Sequence, residues 1–318
     1  MAGDAEILTR NGPDLDTAIF LAEASAAAYP EGNAHGFVTK KGLSGFTPFE
    51  AGNVQGFYCS TQQAALLVFR GTSNIGQWIR DARILPAPFR DWGWAHLGFV
   101  KGIEAIEIYL EEFDKIAESR AHVWVAGHSL GGALAVLAAA RLKSLGICTP
   151  SILTYGQPAV GFADFAARFH EELRDRLWHI INQSDIVPRV PPFPYRHCDL
   201  GKHILMPGVL EATQGLEAMP LGLPEAREYS QAETLRQIII RGRRLEGLEA
   251  APEGLALETS APAQLDPFEF GRLQMALGVG EPAGMEGMTL EGAIPFLDDH
   301  RISEYIRLLM EIRDPPRS

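Results

Sequence analysis

The chain has 318 residues, 46% of them hydrophobic and 21% charged, with a formal net charge of −12. That size supports a full α/β core in one large domain or two, and the acidic balance disfavours nucleic acid and anionic membrane as non-specific partners. The three cysteines, Cys59, Cys148 and Cys198, lack any C-x-x-C spacing, which argues against a disulfide framework and a cysteine-built zinc site.

The first six residues carry Asp4 and Glu6 and no basic segment, so they are not a signal peptide as written. A cytoplasmic chain is expected, although a trimmed precursor would look the same. Residues 14–29 read as an Ala-rich helix with Ile19, Leu21 and Ala22 on its core stripe, ended by Pro30 and Gly32. Residues 54–60 and 64–69 read as two strands joined by Thr61-Gln62-Gln63. The second strand runs straight into Arg70-Gly71-Thr72-Ser73-Asn74.

Residues 75–85 are short and amphipathic, with Ile75, Trp78, Ile79 and Ile84 at near-helical spacing, and Pro86 and Pro88 close them. A movable lid and a helix docked on the core fit that pattern equally well. Residues 98–119 predict one long helix, apolar through Ile103, Ile106, Tyr109, Leu110 and Phe113 and acidic on its other side.

Val123-Trp124-Val125-Ala126 then leads into Gly127-His128-Ser129-Leu130-Gly131-Gly132, and a small-residue helix follows to residue 145. A strand, a sharp turn and a helix with serine at the apex make a nucleophile elbow. The turn strains Ser129, and Gly127 and Gly131 flank it because a Cβ there would meet the neighbouring strand or helix. The helix start offers N–H groups to a developing oxyanion. The apolar run is better explained by the elbow than by a membrane span, since it contains His128, Ser129 and several glycines.

Residues 152–155 are the next buried strand, 164–177 a helix, and 178–182 a further strand. This alternation predicts a mainly parallel sheet with helices on both faces, and a site beyond the carboxyl ends of its strands. After about Pro207 the composition shifts to Gly, Pro, Glu, Leu and Ala through Pro295. Helices are expected over 226–245 and 267–277, so 207–295 reads as a helical insertion or cap on a single domain spanning 1–318. The basic run Arg241, Arg243 and Arg244 reads as a solvated helix end.

A serine nucleophile needs a base, and the base an orienting acid; after an elbow the chain order is Ser, acid, His. Asp185 lies just past the strand ending at Asn182 and is the leading acid, ahead of Asp164 and Asp199. For the base, His170 falls in a helix, His179 in a strand, and His203 begins a short strand. His300, before a terminal amphipathic helix, leads His197 by position, and His197 stays open. Leu130 and the loop at Thr72 are the expected oxyanion donors, though Thr72 could equally cap the helix that follows. His128 and His96 read as structural. There is no metal constellation and no phosphate loop, and no cofactor is expected.

Phe69-Arg70-Gly71-Thr72, His96-Leu97-Gly98-Phe99, the elbow, residues 154–161, residues 182–188, and Asp299-His300 with Tyr305 occur in one order that resembles the class 3 lipases, the fungal-type triacylglycerol lipases. The resemblance implies an α/β-hydrolase fold and carboxylic ester hydrolysis, with an acylglycerol or other ester met at a lipid–water interface. A phospholipase or a short-chain or feruloyl esterase is the neighbouring alternative, and an inactive lipase-like interaction protein the distant one. It implies Ser129 as nucleophile, Asp185 as acid, His300 as base, Thr72 and Leu130 as the oxyanion hole, and residues 74–85 as a lid presenting Ile75, Trp78 and Ile79. The chain departs from the family pattern in the long stretch 207–295 and in lacking the many cysteines of secreted relatives.

Overall fold

In the computed structural model, which describes residues 4–10, 12–81, 85–146, 148–173, 175–182, 185–198, 203–206 and 300–314, the apolar runs assemble into one seven-stranded sheet. Its strands come from a chain-order series of β1 (Ser44–Ala51), β2 (Val54–Ser60), β3 (Ala64–Phe69), β4 (Pro86–Pro88), β5 (Trp94–His96), β6 (His122–His128), β7 (Ser151–Tyr155), β8 (Leu177–Asn182) and β9 (His203–Met206). Spatially they run β1-β2-β3-β6-β7-β8-β9, while β4 and β5 pair only as a separate ribbon. From β3 onward neighbours are parallel; β1 and β2 are antiparallel additions at one edge. The expected mainly parallel α/β architecture is therefore present.

The helices are α1 (Leu15–Ala27), α2 (Ala34–Lys40), α3 (Ile75–Asp81), α4 (Leu97–Ala105), α5 (Glu107–Ala117), α6 (Leu130–Leu145), α7 (Ala163–Leu173) and α8 (Ile302–Arg313). Strand side chains alternate between faces, so β3 sends Leu67 and Phe69 to one core and Leu66 and Val68 to the other. The first core is closed by α4, α5, α6 and α7, and the second by α1 and α8. Both faces are thus covered, as parallel strands require. Asp14 caps α1, its Oδ1 accepting from the Thr17 amide at 2.8 Å. No helix among the described residues is long and apolar enough to cross a membrane.

Two expectations need correction. The single helix over 98–119 is two helices meeting at Ile106, whose φ of −107° and ψ of 14° leave the helical region. Ile106 itself is fully buried, so the hydrophobic period runs through the break without recording it. The helix over 164–177 ends at Leu173 and starts one residue earlier than expected, at Ala163, with Asp164 in its first turn. The expected insertion at 207–295, with its two helices and basic run, lies outside the described residues.

Candidate active site

Strand β6 delivers the serine. At its end Ser129 has φ 60° and ψ −130°, a left-handed conformation that a non-glycine residue holds only under constraint. The constraint is close packing. A Cβ on Gly127 would stand 2.3 Å from the Gly131 carbonyl oxygen, and one on Gly131 would stand 2.4 Å from that of Phe69. The Ser129 amide donates to the Tyr155 carbonyl at 2.9 Å, tying the turn to β7. Leu130 is the first residue of α6, a position whose amide has no acceptor within the helix.

Asp185 follows β8 and His300 precedes α8, and the fold brings them together across 115 residues of chain. His300 Nδ1 donates to Asp185 Oδ2 at 2.6 Å, with both side chains buried. Asp185 is held from two further directions. Its Oδ2 accepts from the Tyr305 hydroxyl at 2.7 Å, and its Oδ1 from the Val187 amide at 2.8 Å. The Tyr305 oxygen in turn accepts from the Asn182 amide at 3.1 Å, so α8 is pinned to the end of β8. With Nδ1 carrying the proton toward Asp185, the lone pair of His300 lies on Nε2. Ser129 Oγ and His300 Nε2 are both buried, and neither has a hydrogen-bond partner among the described residues. A hydroxyl and an imidazole lone pair kept from other partners are chemically suited to transfer a proton once a substrate draws them together.

The other histidines are placed differently. His179 is fully buried and accepts from the Gln157 amide through Nε2 at 3.0 Å. His197 Nε2 donates to the Pro188 carbonyl at 2.7 Å, which fixes the loop after Asp185. His170 lies half-buried on α7, and only the backbone of His203, in β9, is described. His96 caps α4, its Nδ1 accepting from the Gly98 amide at 3.1 Å. His128 Nδ1 accepts from the Tyr29 hydroxyl at 2.7 Å, and its Nε2 donates to the His300 backbone carbonyl at 2.5 Å. Among the acids, Asp164 binds the Trp94 and Phe165 amides and holds the ribbon, while Asp199 lies outside the described residues.

Thr72 is half-buried, and its Oγ1 accepts from the Asn74 amide at 3.2 Å, so its side chain shapes the turn into α3. Helix α3 is docked. Ile79 is fully buried, Trp78 stacks on Phe99 at 6.1 Å and 14°, and Ile75 is half-buried. Residues 82–84 of the expected lid lie outside the described ones. Among the described residues no cluster of His, Cys, Asp or Glu is arranged to hold a metal ion.

Sequence reasoning gave Tyr305 no role and missed Tyr29. Tyr305 was detectable in principle. It shares the buried stripe of α8 with Leu308, Leu309 and Ile312, and a hydroxyl in such a stripe needs a partner.

Residues 66–195 match the family described as lipase (class 3). The secreted mono- and diacylglycerol lipase 1 of Fusarium solani is 32% identical over 152 residues, which cover 45% of this chain and 45% of that protein. Phospholipase A1-II 4 of Oryza sativa subsp. japonica is 27% identical over 210 residues, 56% of this chain and 52% of that protein. The chain thus spans about half the length of these curated relatives. The solved structure of Rhizomucor miehei triacylglyceride lipase superimposes with a TM-score of 0.51 at 24% identity, over 59% of this chain and 78% of that one, which shows the shared fold. The Fusarium relative is named as secreted, so it lends no support to the cytoplasmic expectation.

Proposed function

We propose, for a chain that over residues 66–195 belongs to the class 3 lipase family, that it hydrolyses carboxylic esters of acylglycerols through an acyl-enzyme. One observation carries the reading: His300 is bonded to Asp185 at 2.6 Å while its Nε2 and Ser129 Oγ are buried without partners among the described residues. In this mechanism Nε2 takes the Ser129 proton as Oγ attacks the ester carbonyl carbon. The tetrahedral oxyanion is met by the Leu130 amide and the Thr72 loop, where loss of one donor costs roughly 3 kcal/mol. His300 returns the proton to the departing alcohol. Water then repeats the cycle, releasing the fatty acid and restoring Ser129. Asp185 keeps the proton of His300 on Nδ1 and offsets the charge of the imidazolium.

Ser129 is fully buried, so an ester reaches Oγ only if what covers it moves. We assign that movement to α3, with Ile75, Trp78 and Ile79 turning toward lipid. The similarity to a rice phospholipase A1 supports a second reading, release of acyl chains from phospholipids.

A fluorophosphonate probe should label the native chain at Ser129 and fail on Ser129→Ala. Labelled enzyme assayed for residual turnover, and unlabelled enzyme assayed on emulsified triacylglycerol, phosphatidylcholine vesicles and soluble butyrate esters, then fixes the substrate class. A folded chain that neither labels nor turns over any ester is not a hydrolase. Activity confined to phospholipid selects the second reading. His300→Ala should abolish turnover; if His197→Ala does so instead, the base is misassigned.

A further inference from the structure

The residue before the nucleophile has both ring nitrogens committed. His128 accepts from Tyr29 at Nδ1 and donates from Nε2 to the backbone carbonyl of His300, 172 residues away. The two imidazoles also face each other, with ring centroids 4.6 Å apart and planes tilted by 32°. Tyr29 stands at the end of α1 and is itself buried. Its hydroxyl lies against Gly71, where a Cβ would come within 2.3 Å of it. Gly71 in turn lies against the elbow, its would-be Cβ 2.6 Å from the His128 carbonyl oxygen and 3.1 Å from Ser129 Cβ. One tyrosine and one histidine therefore touch three separate pieces of the site: the loop after β3, the elbow, and the loop bearing His300.

We infer that Tyr29 and His128 are positioning residues that hold His300 in register with Ser129 and the oxyanion loop. The inference rests on the ester-hydrolase reading. The Nε2–H bond to the His300 carbonyl fixes the backbone of a residue 172 positions further along the chain. The Tyr29 bond fixes which nitrogen of His128 carries the proton, since a lone pair at Nδ1 is needed to accept it. An uncharged His128 matters at this distance. A second imidazolium beside His300 would oppose the charge His300 acquires when it takes the Ser129 proton. Burial, and next the charge of His300, hold the His128 ring well below the usual histidine range, against the opposing pull of its bond to the His300 carbonyl.

The test uses the full chain and three variants. Tyr29→Phe removes the hydroxyl alone. His128→Leu removes both bonds, and His128→Gln keeps an amide N–H able to reach the His300 carbonyl. Turnover of a soluble ester should fall at least tenfold in Tyr29→Phe and further in His128→Leu, with KM within about twofold, and fluorophosphonate labelling of Ser129 should slow in parallel. His128→Gln should recover at least tenfold over His128→Leu. A merely structural role would lower the melting temperature without this kcat-only loss or this rescue. If the wild type is active and Tyr29→Phe and His128→Gln both match it in kcat and labelling rate, the inference is overturned while the hydrolase reading stands. If the wild type neither labels nor turns over, both are overturned together. Should His128→Leu not fold, the other two variants decide.

Discussion

At the scale of single residues, the arrangement around Asp185 leaves no spare volume. Gly156 follows β7 with φ of +53°, and a Cβ there would stand 2.5 Å from Asp185 Oδ2, 2.8 Å from the Tyr305 hydroxyl and 3.0 Å from His300 Cε1. Gly156→Ala should therefore push Asp185 and His300 apart. A displacement approaching 1 Å costs about 100-fold in turnover, whereas the left-handed backbone adds only about 1 kcal/mol of instability. Ester kinetics beside circular dichroism separate the two effects, and near-wild-type kcat in a folded variant would refute this account of Gly156. The sequence displayed the serine because its neighbours encode the strain locally, in Gly127, Gly131 and the strand–helix context. Asp185 and His300 were legible as positions on loops at a sheet edge. The Tyr29–His128–His300 chain was not, because its bonds span separations of 99 and 172 residues and no local pattern records them.

Among the elements, those read correctly are the ones whose hydrophobic period is complete. Strands β2, β3, β6, β7 and β8 are buried runs, and a run of that kind is its own signal. Strand β1 escaped notice because it is an edge. Ser44–Ala51 includes Gly45 and Pro48 and buries only Phe49, a composition an edge strand tolerates and a central one does not. The ribbon of β4 and β5 has three residues a side, too few for any period. The break between α4 and α5 has a consequence for charge. It starts α5 at Glu107, whose carboxylate accepts from Arg141 Nε at 2.7 Å on α6 and from Arg90 at 3.2 Å in the ribbon turn. Burial pushes the Glu107 carboxyl up, but the bonds and charges of Arg141 and Arg90 outweigh it, and the net direction is below the ordinary value. A carboxyl lowered by folding adds stability above its unfolded pKa and loses it as pH falls through the folded one. Glu107→Gln should thus lower the urea midpoint at pH 7, and the gap to wild type should close as the pH drops below the usual glutamate range. A gap of constant size from pH 7 to pH 3 would mean the charge contributes nothing.

For the whole molecule, the decisive feature is that the second core is closed by elements from opposite ends of the chain. Helix α8 packs against α1, with Leu308, Leu309 and Ile312 buried beside Ile19, Phe20 and Leu21. The same helix carries Tyr305 to Asp185 and follows directly on His300. Folding stability and site geometry are therefore coupled through one apolar contact surface, and a lesion there should be felt in both. Leu309→Ala, remote from the reacting atoms, removes a buried side chain that is 2% exposed. It should cost about 2–5 kcal/mol in equilibrium denaturation, since a cavity adds to the lost transfer energy. Well below the unfolding transition, at temperatures where the variant remains folded, kcat should stay close to wild type, because the Tyr305 and His300 hydrogen bonds are intact. As the temperature nears the lowered transition, activity should disappear together with the tertiary signal of the fold. If activity were instead lost many degrees before unfolding, α8 would be detaching by itself, and His300 would ride on a helix that opens separately from the sheet. Simultaneous loss makes the sheet, α1 and α8 one cooperative unit, as the proposed pairing of His300, at the start of α8, with Ser129, at the end of β6, requires.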